Sequence, residues 1–218
     1  MTAFFTVCNR HQLPGAIALG KSIREHHKGA SFIIGWADEV SLPAVPAGIE
    51  IIPVSDLDLP QLPQMSGLYY DFELVHALRP WFARHLLEHK PDISNLVFLA
   101  PTTMVYRSFE HLFDPGKDLL LTPHIVERLP ASHNLDDKRI LNIGMFHSNA
   151  WIARRSESVK NLLDWWSIRT IDRASFDLCN GMCLDQLWLN YAPVHVARSL
   201  IIRDPSGTSD YITVFFIL

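Results

Sequence analysis

The chain has 218 residues and a formal net charge of −4, so it has no general attraction for polyanions, and no Lys/Arg cluster is dense enough to form a nucleic-acid groove. Hydrophobic residues make up 48% and charged residues 19%, which argues against disorder, and six Trp with twelve Phe supply the core of a single domain spanning 1–218. No stretch reaches the roughly 20 apolar residues that cross a bilayer, and Met1–Cys8 lacks the basic leader of a secretion signal. Three Cys, an odd number in a chain this large, point to a reducing, cytoplasmic location.

Along the chain, the apolar runs Ala3–Val7 and Ser31–Ala37 flank a helical pattern over Pro14–His27, with Ile17, Leu19 and Ile23 on its apolar side. That order predicts a β-α-β unit with a parallel pair and a right-handed crossover. Ile49–Val54 reads as another strand. Pro53–Gly67, broken by Pro60 and Pro63, reads as a surface loop, either covering a ligand or simply connecting. Helical periodicity resumes at Tyr70. Because a proline inside a helix costs about 3 kcal/mol, a break or kink is expected near Leu78–Pro80, with Pro80 opening a second helical piece. Arg79 would then stand at a junction, its guanidinium available to a phosphate or to Glu73. Leu96–Leu99 and, after the Pro115-Gly116 turn, Lys117–Leu121 are the next strands. Ser156 should cap a helix running to Arg169, with Val159, Leu162, Leu163 and Trp166 facing the core. Strands near Trp151 and Val194–Val196 would complete a mostly parallel mixed sheet, an α/β fold with helices on both faces.

In open α/β sheets, ligands bind where loops converge at the carboxyl ends of the strands. Thr6, Cys8, Asn9 and Arg10 follow the first strand and are candidate ligand-binding residues; a polar turn capping the strand reads equally well. Cys179 and Cys183 lack the second ligand pair of a zinc site, so they read as incidental thiols. The eleven His form no metal-spaced run. Trp81, Trp165 and Trp166 lie in apolar helical patterns and read as core, while Trp188 stands near Asp185 and is kept as a candidate ligand contact.

Several segments carry a resemblance. Tyr70-Asp-Phe-Glu-Leu-Val-His-Ala-Leu-Arg-Pro-Trp-Phe82, Leu119-Leu-Leu-Thr-Pro-His124, Asp164-Trp165-Trp166 and Gly181-Met-Cys-Leu-Asp-Gln-Leu-Trp188 resemble, in order and spacing, segments of bacterial GT-A-fold glycosyltransferases of the family 8 type. In that family the strand corresponding to Asn95–Leu99 ends in Asp-x-Asp and holds Mn or Mg against a nucleotide-sugar pyrophosphate. Here Ala100-Pro101-Thr102 stands in its place. Gly144-Met-Phe-His-Ser-Asn-Ala-Trp151 departs from the family pattern at His147 and Asn149, and beyond Arg203-Asp-Pro205 the family's later His is not recognisable.

The resemblance implies transfer of a sugar from a nucleotide-diphosphate sugar, a UDP-sugar above all, to a cell-surface glycan or other glycoconjugate. Asp185 and Gln186 would be the catalytic pair near the anomeric carbon, with a helix-terminal acid as the alternative for Asp185. Thr6, Cys8, Asn9, Arg10, Arg79, Ala100, Thr102, His124, His147 and Trp188 would line the nucleotide-sugar site. For His124 and His147 a structural role reads at least as well. No metal ligands are identified, because Ala100 has no side-chain oxygen and Thr102 offers a neutral hydroxyl where hard cations prefer carboxylates. Arg79, Arg10 and Lys21 are then the cations that would meet the leaving diphosphate. A non-catalytic GT-A-like module binding a sugar, a nucleotide or a protein is the alternative, and a hydrolase or nucleotidyltransferase ranks last. Peripheral attachment to a membrane, where a lipid-linked acceptor would be met, and oligomerisation stay open.

Overall fold

A computed structural model of the chain describes residues 1–125, 137–202 and the backbone of 215–216. In chain order the elements are β1 (Thr2–Cys8), α1 (Leu13–His26), β2 (Ser31–Trp36), β3 (Ile49–Pro53), α2 (Leu62–Leu68), α3 (Asp71–His89), β4 (Asn95–Leu99), β5 (Thr103–Met104), β6 (Leu119–Pro123), α4 (Asp137–Ile143), β7 (Phe146–Arg154), α5 (Glu157–Arg169), β8 (Phe176–Asp177), β9 (Met182–Cys183), α6 (Ala192–His195), β10 (Ser199–Ile201) and β11 (Phe215–Phe216). The main sheet has seven strands in the order β10-β6-β7-β4-β1-β2-β3, and β7 alone runs against its neighbours. This is the mostly parallel mixed α/β sheet that the sequence predicts.

Strand β1 shows why both faces are covered. Ala3, Phe5 and Val7 join the core formed with α3 and α5, while Phe4 and Cys8 join a second core with Ala16, Leu19 and Ile23 of α1. A strand buried on both faces reads as a continuous apolar run rather than an alternating one. The chain steps from β1 outward to β2 and β3, then returns to place β4 on the other side of β1. The strand order therefore reverses between β1 and β4, and their carboxyl ends open a crevice.

Four expectations need correction. Helix α3 runs unbroken from Asp71 to His89 with Pro80 inside it. Pro80 withholds one backbone donor, but Val75, Leu78, Trp81, Phe82, Leu86 and Leu87 are all buried, and at about 1.5–3 kcal/mol for each large apolar side chain this outweighs the proline. The expected loop over Pro53–Gly67 contains a 3-10 turn at Val54–Asp56 and helix α2, whose Pro63 lies in the first turn, where a missing N–H costs nothing. Val194–Val196 is not a strand. Pro193 opens the short helix α6, and the strand comes later, at Ser199–Ile201. Lys117 closes a turn onto Asp114 and β6 starts only at Leu119. Ser156, by contrast, caps α5 as expected, its Oγ accepting from Val159 N at 3.3 Å.

Phe215–Phe216 pairs antiparallel with Thr103–Met104; Arg203-Asp204-Pro205 and the rest of the chain's end lie outside the described residues. Among the described residues no helix is long and apolar enough to cross a membrane.

Candidate functional site

The crevice holds a network of polar groups drawn from three elements. On α3, His76 and Arg79 are three residues apart and so share a face. On β7, Ser148 and Asn149 lie just inside the strand's start, beside the end of β4, where Ala100 N donates to Asn149 O at 2.8 Å. Asp185 opens a 3-10 segment, Asp185–Tyr191. Before it, Leu184 takes φ 54° and ψ −154°, a conformation unfavourable for a residue with a Cβ, and this turns Asp185 into the core. Trp166 of α5 holds the backbone there, donating from Nε1 to Asp185 O at 3.0 Å.

Donor and acceptor roles follow from the chemistry of the partners. A guanidinium can only donate and an ionised carboxylate can only accept. His76 Nδ1 therefore donates to Asp185 Oδ1 at 2.9 Å, and its Nε2 accepts from an Arg79 terminal nitrogen at 3.1 Å. The other terminal nitrogen of Arg79 donates to Ser148 Oγ and Asn149 Oδ1, both at 3.0 Å, and lies 3.6 Å from Asp185 Oδ1. Ser148 Oγ donates its own hydrogen bond to Asp185 Oδ1 at 3.0 Å. His76 is thus a neutral imidazole of fixed tautomer. Burial, then the neighbouring Arg79 charge, pull its pKa down, while Asp185 pulls the other way.

Arg79 is 2% exposed and Asp185 0% exposed. Burial also lowers the Arg79 pKa, with Asp185 opposing it. Arg79 is therefore not the free cation at a helix junction that the sequence suggests, nor is it paired with Glu73. Its partners are His76, Asp185 and the start of β7. Glu73 instead accepts from the backbone N–H groups of Tyr70 and Phe176. Of these residues, His76, its side chain 18% exposed, and Asn149 are both half-buried and reach solvent.

Gln186 extends the network. Its Oε1 accepts from Ser148 N at 3.2 Å and its Nε2 donates to Ile143 O at 2.8 Å. Gly144 sits at φ +103°, and a Cβ there would lie 3.2 Å from the Gln186 carbonyl oxygen, so this turn requires glycine. The His124 and His147 rings meet with centroids 3.5 Å apart, tilted by 46°. Burial first and His124 second lower His147 to about 4; burial likewise lowers His124. Both imidazoles are neutral near pH 7.

The remaining predicted residues scatter. Thr6 and Cys8 point into the core beneath α1, and burial pushes the Cys8 thiol up to about 12, so neither lines the crevice. Asn9 caps the turn after β1, its Oδ1 accepting from His11 N and Gln12 N. Arg10 is exposed at the rim and pairs with Asp38 at 2.9 Å. Lys21 is exposed on α1. Ala100 is buried in the core, and the Pro101 carbonyl lies against Gly15 of α1, leaving Thr102 exposed at the mouth. Trp188 donates to Arg173 O and packs edge-on to Trp165, away from the Asp185 carboxylate's partners. Cys179 and Cys183 are free thiols.

A resident divalent ion of the kind implied by the family resemblance finds no fitting donor set at 100–102. Ala100 contributes a methyl to the core, and Thr102 a neutral hydroxyl. Among the described residues no three His, Cys, Asp or Glu side chains are grouped to hold a metal.

Two open clefts flank the crevice. One, of about 690 Å³, lies at the ends of β2 and β3 between Asp38–Leu42 and Pro53–Ser55; the other, of about 620 Å³, lies between Asn9–Gln12 and Tyr69–Phe72. A separate cavity of about 240 Å³ between α3 and α5 sits at the opposite end of the strands, where the Arg155 guanidinium donates to the Leu87, Lys90 and Ile93 carbonyls. Those bonds satisfy carbonyls at the end of α3 and in the loop after it, which is a structural task.

His76 and Ser148 were missed in the sequence. The i, i+3 spacing of His76 and Arg79 was the available signal. Nothing comparable marks Ser148, a small polar residue on a buried strand face.

No protein-family profile matches the sequence, and no curated protein matches it significantly. Solved structures do. A galactosyltransferase LgtC in complex with donor and acceptor sugar analogues superposes with a TM-score of 0.56 at 14% identity, covering 92% of this chain and 73% of LgtC. An active-site mutant of LgtC gives 0.55 at 15% identity, covering 92% and 72%. A glycosyltransferase involved in glycosylation of the major capsid of PBCV-1 gives 0.55 at 10% identity, covering 93% and 81%. At such identities the likeness establishes the fold alone, and that fold is the GT-A glycosyltransferase fold.

Proposed function

We propose that the chain, as one domain over 1–218, transfers a sugar from a nucleotide-diphosphate sugar, a UDP-sugar in the first instance, to a glycan acceptor. The observation that carries this reading is the concentration of bonded polar groups, His76, Arg79, Ser148, Asn149, Asp185 and Gln186, beside the point where the strand order reverses. In the reaction the bond from the sugar's anomeric carbon to the diphosphate oxygen breaks, and a bond from an acceptor oxygen to that carbon forms. The acceptor's proton leaves with the diphosphate or with solvent. His76 and Asn149 are the groups that would meet the sugar, and Asp185, Arg79 and Gln186 act through them as positioning residues. Arg10, exposed at the rim, is a cation offered to the diphosphate. A cytoplasmic location and a cell-envelope acceptor belong to the same reading.

A second reading, a sugar- or nucleotide-binding module without turnover, is favoured by one observation: Asp185 and Arg79 are closed off from solvent and bonded to each other's neighbours. Calorimetric titration with UDP and a panel of UDP-sugars, with and without Mn²⁺, followed by an assay for released UDP, tests both readings. Saturable binding that Mn²⁺ does not tighten, with UDP released in the presence of acceptor, is expected. Binding without release would favour the module, and no binding of any nucleotide would remove both.

A further inference from the structure

Three aromatic side chains stand exposed at one lip of the crevice. Tyr70, Phe72 and Phe176 are 77%, 45% and 52% exposed. Single exposed apolar residues are ordinary; adjoining rings beside a cleft are not. The Tyr70 and Phe72 rings are parallel to within 3° with centroids 6.4 Å apart, a spacing at which parallel rings lie offset rather than piled face to face. Phe176 meets Phe72 at 6.4 Å and 70°, in an edge arrangement.

These rings come from distant parts of the chain, yet their mounting is rigid. The buried Glu73 carboxylate accepts from Tyr70 N at 2.9 Å and from Phe176 N at 2.6 Å, which ties the start of α3 to β8. Beside it the buried Tyr69 hydroxyl donates to Thr170 O and accepts from Ala174 N, both at 2.9 Å. Burying a carboxylate is costly unless it is well bonded. Here the bonds it makes fix the backbone that presents two exposed rings.

The chemistry around the rings narrows the occupant. Tyr70, Asp71 and Phe72 line the 620 Å³ cleft together with Asn9, His11 and Gln12, and no Lys or Arg is among its lining residues. Gln12 Oε1 is a buried acceptor with no partner. Flat apolar faces ringed by carboxylate and amide acceptors match a neutral pyranose, whose C–H face is apolar and whose hydroxyls donate. They do not match a phosphate, a nucleic acid or an anionic lipid headgroup, each of which calls for cations.

We propose that Tyr70, Phe72 and Phe176 form a platform that binds a neutral hexopyranose unit of an acceptor glycan at the lip of the crevice. The proposal rests on the transferase reading for the word acceptor, but binding itself can be tested separately. The purified full chain is applied to immobilised neutral oligosaccharides of glucose, galactose, mannose and N-acetylglucosamine, with phosphatidylglycerol vesicles as a second probe. UDP titration runs in parallel on every variant. At least one neutral glycan should bind, at least tenfold more weakly to Tyr70→Ala and Phe176→Ala, with recovery in Phe176→Trp and unchanged UDP affinity. Unchanged thermal unfolding of the variants separates loss of binding from loss of fold. Absence of glycan binding, or binding indifferent to these substitutions, overturns the platform, and so does ring-dependent binding to the vesicles alone. If UDP binds in those cases, the transferase reading survives the platform's failure.

Discussion

Arg79 and Asp185 depend on each other more than either depends on solvent. A buried pair broken from one side leaves an uncompensated charge, at a typical cost of about 3–5 kcal/mol, whereas replacing both partners with apolar groups is often neutral. Arg79→Met should therefore lower the urea midpoint strongly, and Arg79→Met with Asp185→Leu should recover most of the loss. A double variant as unstable as the sum of the two singles would show that the charges do not act as a pair. The histidines give a pH dependence of definite sign. His147 sits at about 4, below the usual 6.5, through burial and then His124. Below pH 6.5 the unfolded chain takes up a proton that the folded chain refuses until about 4, so stability is full above 6.5 and falls as pH drops through that window. His27, His76, His85 and His124 are shifted the same way. Melting temperature should decline from pH 7 to 4.5, and His147→Asn should flatten part of that decline. An equal decline in the variant would assign the proton uptake to the other four. At this scale the sequence made Arg79, Asp185 and Gln186 legible through their motifs. It did not reveal that they face one another, because residues 79, 148 and 185 meet only once the sheet has formed.

Among the elements, α1 and the turn after β4 are locked together. Gly15 lies inside α1, where Ala would ordinarily gain about 1 kcal/mol in helix propensity. A Cβ at this position would lie 2.4 Å from the Pro101 carbonyl oxygen, and neither is the end of a flexible side chain. Gly15→Ala should therefore destabilise, by about 1–3 kcal/mol as for other overpacked sites, and should disturb the mouth at Ala100–Thr102. A Gly15→Ala variant that melts higher than the parent would contradict the close approach. Proline explains why element boundaries were harder to read than element types. Pro14, Pro63 and Pro193 each lie in the first turn of a helix, whereas Pro80 lies inside one. The sequence alone does not distinguish these positions, because what tolerates Pro80 is the packing of α3 against β1 and α5.

For the whole molecule, the β1-α1-β2 unit was legible as apolar runs flanking helical periodicity, and with the later strands and helices this gave the α/β class; the order β3-β2-β1-β4 was not, because it rests on which strands pair. The antiparallel β7 was not readable in that way. Its partners β4 and β6 are fixed by long-range pairing such as Leu99 with Ala150 and Leu121 with Trp151, which leaves no local trace in sequence. That strand brings Ser148 and Asn149 to the crevice and so creates the candidate site. The central claim, that a nucleotide sugar binds at the reversal of strand order, is most directly tested by amide chemical-shift mapping of the isotope-labelled chain titrated with a UDP-sugar. Saturable shifts should gather at 10, 38–42, 100–104, 147–149 and 185–186. Shifts confined to the cavity around Arg84, Arg155 and Lys160 at the other end of the strands, or no shifts at millimolar ligand, would contradict it.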